Sequence, residues 1–463
     1  MANKLITKEA SELAREIVTI GLAEGASEFQ VKIRDTHANY IRFANSEIHQ
    51  FSQDNIRELK LVALINKRKG LSLVVPTTDG GLKKSIRNLV SATKVNSDDP
   101  DQLSFYPTGK AYRELELVDE SFKSWDQEFM AETVKKVIHS AHEVDSSVKN
   151  VSGMLQTMNH KFVLMNSQEL FLSTNQTEFW YGVDILAKKG KNTGRNSQGE
   201  TNRFAHNIPF FDLAETAAKF AVLGINPVKL ESGDYTAILD YYAVLEPLVF
   251  INLGLSGLFV KQHRSFLARK IGQKVFSNKF NLKHSPFLTP LVTSKSFDDE
   301  GVPTKEFYFI KEGVVESLAH NRLTAFQMEK EPNGCGYESE RTSFGIPTAT
   351  LLEPSRDHTF EDLVQEIENG ILISRLYYSN WANPMAGILT GTTRNGFFKI
   401  ESGEITTALH PMRHTTSIFE MFGEGLELAN KIHQPPMQMM PGVQSIMVPA
   451  LKTSKMHMTT YAN

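Results

Sequence analysis

Residues 241–260 read YYAVLEPLVFINLGLSGLFV, and this stretch restricts the fold of the 463-residue chain more than any other. About 20 residues of helix are enough to span the hydrocarbon of a bilayer. Glu246, Pro247 and Asn252 interrupt the run, and an ionisable side chain within hydrocarbon is costly. The stretch therefore reads as a helix buried in a large core, and no membrane association is expected. Covering such a helix on every side takes ample apolar surface elsewhere. The chain has it: 41% of residues are hydrophobic and 22% charged, values ordinary for globular proteins. The length fits two large domains.

Net charge is −3, without the concentrated basic face that binding nucleic acid requires. The single cysteine, Cys335, excludes an internal disulfide framework and fits a reducing cytoplasm. The N-terminus shows no signal-peptide core. Residues 7–24 instead read as an amphipathic helix, with Ala10, Leu13, Ala14, Ile17 and Val18 on one face, Thr7 as cap and Gly25 as stop. A cytoplasmic location is expected.

Strand periodicity follows. Phe29, Val31 and Ile33 alternate with polar residues, as do Leu59, Leu61, Ala63 and Ile65, with Asn45-Ser46 as a turn between strands. A helix is expected from about Gly81, with Leu82, Ile86, Leu89 and Val90 inward, and further helices over about 126–143 and 212–223. Residues 96–120 read as a surface connection, and KKGKNTGRNSQGE at 188–200, without an apolar residue, as a mobile loop, either a flap over a peptide channel or, more plainly, a flexible hairpin tip. Glu312-Gly313 and Ser402-Gly403 are hairpin turns. The predicted fold class is α+β. An N-terminal domain, residues 1–226, packs helices on an antiparallel sheet. Asn226-Pro227 marks the boundary, and a strand-rich C-terminal domain, residues 227–463, holds the buried helix.

Residues 297–304 read FDDEGVPT. Three consecutive acids in a tight turn repel one another unless a cation, backbone N–H groups or a basic partner meets them. Three roles stand open for Asp298, Asp299 and Glu300: capping the turn, contacting a peptide or partner subunit, or holding Mg²⁺ or Ca²⁺.

Together with IRFANSEIHQ at 41–50, RSFLARKIGQKVF at 264–276 and GFFKIESGEI at 396–405, this motif closely resembles the TldD/PmbA family, once called modulators of DNA gyrase. The resemblance covers most of the chain. It implies a paired cytoplasmic peptidase in which one subunit carries a zinc-binding His-Glu-x-x-x-His helix and its sister lacks it. A zinc peptidase needs two imidazoles one helical turn apart and an adjacent Glu to activate water. The one His-Glu pair here, His142-Glu143, is followed by Ser146 and Ser147 where a second histidine would stand. The family's metal helix should lie between the domain boundary and RSFLARKIGQ, in the apolar stretch that contains no histidine. The C-terminal cysteine of some catalytic members is also missing. These departures resemble the PmbA-type, or TldE-type, subunit.

Other candidates each have a plainer explanation. His139 and His142 share a helix face but lack a third ligand. His410 and His414 flank Pro411, which argues against a shared regular helix. Cys335 sits in a glycine-rich turn with no sequence sign of an activating group. Arg264 and Ser265 follow the buried helix, where the resemblance places residues near the cleft; a peptide carboxylate grip and an ordinary surface arginine both stand. Met437, Met439, Met440 and Met447 read as an adaptable apolar surface or as core filling. The resemblance implies a non-catalytic subunit with no cofactor of its own, zinc in a TldD-like catalytic partner, and unfolded or short peptides as substrates. A homodimeric metallopeptidase using His410 and His414, and a protein regulator of gyrase, are the alternatives.

Overall fold

The structure is a computed structural model that describes residues 7–339, 343–436 and 445–460. Six strands form one antiparallel sheet in the order β3-β2-β1-β4-β5-β6. They are β1 (Glu28–Ala44), β2 (Glu47–Ile65), β3 (Arg68–Val74), β4 (Val148–Asn166), β5 (Phe171–Lys189) and β6 (Asn192–Asn202). Asn45 and Ser46 turn β1 into β2 with φ of 52° and 61°, the left-handed geometry of a two-residue hairpin.

Side chains along a strand alternate between faces, so odd and even positions of β1 belong to different environments. Val31 and Ile33 join Leu59 and Leu61 under the helices α1 (Ala10–Ala23) and α2 (Asp79–Thr93). Farther along the same face, Ile41 and Phe43 meet Leu155, Phe179 and Tyr181 beneath α3 (Gln127–Val144) and α4 (Phe210–Leu223). The helices thus cover one face. The even positions face the C-terminal half.

Two expectations need correcting. Helix α1 is capped at Glu9 without a side-chain hydrogen bond, and Thr7 is not its cap. Most of the segment at 188–200 is not a mobile loop. Gly190 makes the turn, with φ of 62°, and β6 pairs with β5 from Asn192 to Asn202. From Asn196 onward most of its polar side chains are buried against the C-terminal half, where hydrogen bonds replace apolar contact: Asn196 Nδ2 donates to the Asn395 carbonyl at 2.7 Å, and Tyr241 Oη donates to Gln198 Oε1 at 2.5 Å.

The C-terminal half is a 13-stranded mixed sheet. The long strand Ser445–Thr459 runs through it, antiparallel to β7 (Gly233–Leu239) and parallel to Ala349–Leu352. The turns at Glu312-Gly313 and Ser402-Gly403 close hairpins in this sheet, as predicted. Helix α5 (Tyr241–Gly254) is buried on nearly every side. Its apolar residues belong to the same continuous core as α3 and α4. Among the described residues, no helix is long and apolar enough to cross a membrane.

Candidate functional site

The even face of the N-terminal sheet is unusually polar for a covered surface. Lys32 lies opposite Lys60 on β2 and Leu164 on β4, and Arg34 lies opposite Glu58 and Phe162. The acidic loop at 297–304 settles onto this face. Phe297 anchors it among Leu164, Leu170 and Leu172. Tyr112, from the connection at 96–120, donates its hydroxyl to the Gly301 carbonyl at 2.8 Å. Gly301 has φ of 84°, and a Cβ there would lie 2.5 Å from Leu170 Cδ2. Glycine is therefore required on both conformational and steric grounds.

The three acids of the loop do different work. Asp298, 2% exposed, accepts from the backbone N–H groups of Glu300 (2.9 Å), Val302 (3.0 Å) and Gly336 (2.8 Å). It therefore holds the turn together and ties it to the strand Gly336–Glu338. Burial and the neighbouring Glu300 nonetheless push its carboxyl above the usual carboxylate range. Glu300, also raised by burial, accepts from the Arg322 N–H at 2.7 Å. Asp299 turns toward cations: Lys295 Nζ at 2.9 Å and Lys32 Nζ at 3.8 Å. Burial alone would raise Asp299, but Lys295 and Lys32 hold it well below the usual carboxylate range.

Glu338 is the hub of this cluster. Its carboxylate meets Lys32 Nζ at 2.8 Å, Lys69 Nζ at 2.9 Å and Lys60 Nζ at 3.7 Å, and Lys60 also donates to its carbonyl. Burial opposes ionisation, yet Lys32, Lys69 and Lys60 bring the carboxyl down to about 2. The lysines respond unequally. Asp299 and Glu338 outweigh burial at Lys32 and raise it, whereas burial and the charge of Lys32 lower Lys60 to about 8.

Beside the cluster, a cavity of about 320 Å³ opens between the sheet and the loop. Arg34, Phe162, Gln176 and Glu178 line its sheet side, and Lys295, Phe297 and Asp299 its loop side. Arg34 lies over the Phe162 ring, with its guanidinium carbon 5.4 Å from the centroid. Its nearest polar partner is the buried His160 ring at 3.3–3.4 Å. Burial first, and Arg34 in addition, lower the pKa of His160, while Glu178 partly opposes them.

The remaining sequence candidates lie elsewhere. Ser265 is buried; its hydroxyl donates to the Gly254 carbonyl at 2.6 Å and accepts from the Leu267 N–H at 3.0 Å, which fixes the exit from α5. Arg264 is exposed, stacked on Phe259 at 5.3 Å and bonded to Gln262. Among the described residues neither makes a hydrogen bond or ion pair with the acidic loop. His142 bonds the Ser46 hydroxyl at 2.9 Å, and His139 points to solvent. His410 is exposed, whereas His414 is fully buried, 3.5 Å from the Ser379 hydroxyl, and burial lowers it to about 4. Cys335 does have an imidazole neighbour, His284 Nδ1 at 3.7 Å. Both groups are buried, so the thiol is raised and the imidazole lowered to about 3; neither is activated. Met447 is buried beside Leu291 and Ala349; Met437, Met439 and Met440 lie outside the described residues.

Zinc chemistry needs three or more ligands around one point. Helix α5 has no histidine. Glu246 accepts from the Ser379 N–H at 3.1 Å, and Asn252 Nδ2 donates to the Thr350 hydroxyl at 3.0 Å. The acids of the loop are engaged by N–H groups and lysines. Among the described residues no group of three His, Cys, Asp or Glu is placed to hold a metal ion. The described residues therefore do not fit zinc.

Sequence reading missed Lys32, Lys60, Lys69 and Glu338, whose partners are distant along the chain. It also missed Arg203. That guanidinium is fully buried and donates to six carbonyls, among them Thr289 (2.7 Å), Leu291 (2.8 Å) and Val292 (2.9 Å), so it bolts the segment before the acidic loop to the end of β6.

Comparison with known proteins gives this architecture a family. The PmbA/TldA metallopeptidase central domain matches residues 120–224, and the PmbA/TldA metallopeptidase C-terminal domain matches residues 232–460. The Metalloprotease TldD homolog of Haemophilus influenzae is 23% identical over 67% of this chain and 65% of its own length. The Metalloprotease PmbA homolog of Buchnera aphidicola from Baizongia pistaciae is 22% identical over 79% of this chain and 80% of its own. The chain spans somewhat less than two thirds of the length of the TldD homologs it matches. TldE from Thermococcus kodakarensis superposes with a TM-score of 0.86 at 21% identity, covering 96% of this chain and 99% of that one. A candidate modulator of a DNA gyrase from Thermotoga maritima gives 0.84 at 21% identity, covering 97% and 100%. The two domain matches, read with the α+β architecture, show that the chain belongs to the PmbA/TldD metallopeptidase family.

Proposed function

We propose that this chain is the non-catalytic partner subunit of a PmbA/TldD-type metallopeptidase, acting in the cytoplasm. Zinc is held by a TldD-like catalytic chain, and this subunit completes an enclosed chamber that admits short or unfolded peptides. The observation that carries the reading is α5. It is buried, with no histidine on any face, where the resemblance puts a metal helix. The similarity to TldE in fold is compatible with it.

The test is a mixed preparation. Peptide cleavage is expected from the catalytic subunit or from the pair, with zinc in the catalytic chain. Tight stoichiometric zinc in this chain alone, together with peptide cleavage, overturns the reading. No observation favours a homodimeric metallopeptidase, because His410 is exposed and His414 buried; substituting both is expected to leave cleavage by the pair unchanged.

A further inference from the structure

We infer that the cavity between the N-terminal sheet and the acidic loop binds a short zwitterionic peptide, its carboxylate on Arg34 and its ammonium on Glu178. This goes beyond the proposed subunit role, because the site lies wholly within this chain.

Arg34 and Glu178 both line this cavity, and among the described residues neither has a lysine, arginine or carboxylate partner of opposite charge within 4 Å. Each of the four lysines of the cluster has a carboxylate within 4 Å. Arg34 has none among the described residues. Glu58 lies directly across the ladder from it, and a cross-strand Arg–Glu pair is ordinarily favourable. Arg34 instead lies on Phe162, and among the described residues its polar partners are the ring nitrogens of His160. Nε and Nη2 face the imidazole, while Nη1 makes no hydrogen bond among the described residues, which leaves that side of the guanidinium for a carboxylate. Glu178 is the converse case: its one ion-pair partner among the described residues is His160 Nε2, at 3.8 Å. Cation and anion line the same cavity, and Gln176 stands on β5 between Glu178 and Thr174, the residue paired with Phe162, which is itself opposite Arg34. The glutamine amide suits a peptide bond. At 320 Å³ the cavity lies at the lower end of the ~300–1,000 Å³ range of ligand pockets, which suits a dipeptide.

The experiment is calorimetric titration of the full-length chain with alanyl-leucine, its C-terminal amide and its N-acetyl derivative. Saturable single-site binding of the free dipeptide is expected, weakened about ten- to hundredfold by either blocking group. Arg34→Gln is expected to lose affinity for the free dipeptide to a similar degree while leaving the unfolding midpoint in place. Glu178→Gln is expected to lessen the effect of N-acetylation. The inference is overturned if the wild-type chain gives no saturable binding, or if binding ignores both amidation and Arg34→Gln. The blocked dipeptides test it on unmodified protein, whatever the variants do. Zinc content and cleavage by the pair do not enter the measurement, so its failure is distinct from failure of the proposed subunit role.

Discussion

Lys32 Nζ lies 2.8 Å from Glu338 Oε2, which joins the first strand of the N-terminal sheet to a short hairpin strand of the C-terminal half. Lys60 and Lys69 converge on the same carboxylate. The contact therefore couples the placement of the acidic loop to the sheet that forms the floor of the cavity.

Removing that carboxylate leaves buried ammonium groups facing one another. Breaking a buried pair from one side costs about 3–5 kcal/mol. Glu338→Gln is expected to lower stability by about 3 kcal/mol, read as a lower urea midpoint at constant m-value. A midpoint equal to wild type contradicts the role given to the cluster.

The same cluster sets a pH dependence. Glu338, at about 2, and Asp299, well depressed, have folded-state pKa values below their unfolded ones. The unfolded chain therefore binds more protons in that window, and stability is lost as pH falls from about 4 toward about 2. Asp298, raised by burial and by Glu300, acts oppositely: its contribution is greatest at acid pH and declines as pH rises from the unfolded carboxylate range through its raised folded-state pKa. Denaturant midpoints measured against pH should show a steep acid limb, and Glu338→Gln should flatten it.

Arg203 donates to six carbonyls from full burial. Lysine keeps the charge but offers three donors without the planar fork. Arg203→Lys is expected to cost about 2–4 kcal/mol through carbonyls left unsatisfied, measured by chemical denaturation. A loss below that of a typical surface substitution refutes this account.

At Gly301, alanine meets both a left-handed φ and the Leu170 side chain. Gly301→Ala is expected to destabilise by about 2 kcal/mol or more, with thermal unfolding as the check.

Ser265 and Arg264 are neighbours with opposite expectations. Ser265→Ala removes two buried hydrogen bonds at the exit of α5, and a loss of about 1–3 kcal/mol is expected. Arg264→Ala removes an exposed side chain and is expected to stay within about 0.5 kcal/mol of wild type. A role for Arg264 in gripping peptide would then appear as reduced cleavage by the paired enzyme at unchanged stability.

Part of this architecture is written locally. The alternation at Val31, Ile33, Leu59 and Leu61 assigns the helix-covered face, and Asn45-Ser46 turns where such residues should. Strand β6 escaped because its buried positions, Asn196, Gln198 and Glu200, are polar. Their partners, Asn395, Tyr241 and Gln434, come from the other half of the chain. The acidic motif announced itself as charge in need of compensation. No local pattern signals that backbone N–H groups meet Asp298 while lysines meet Asp299, or that Arg34 stays free of Glu58.

Periodicity, turn chemistry and the burial of residues 241–260 follow from short-range sterics and from the apolar surface that must leave water, and these were decided by the sequence alone. Which charges meet was decided by the tertiary structure. Lys69 and Glu338 stand 269 residues apart, and no local rule links them. Only the docking of the C-terminal half onto the even face of the first sheet brings them within reach. The Coulomb energy of such pairs depends on that final distance and burial, which composition does not encode.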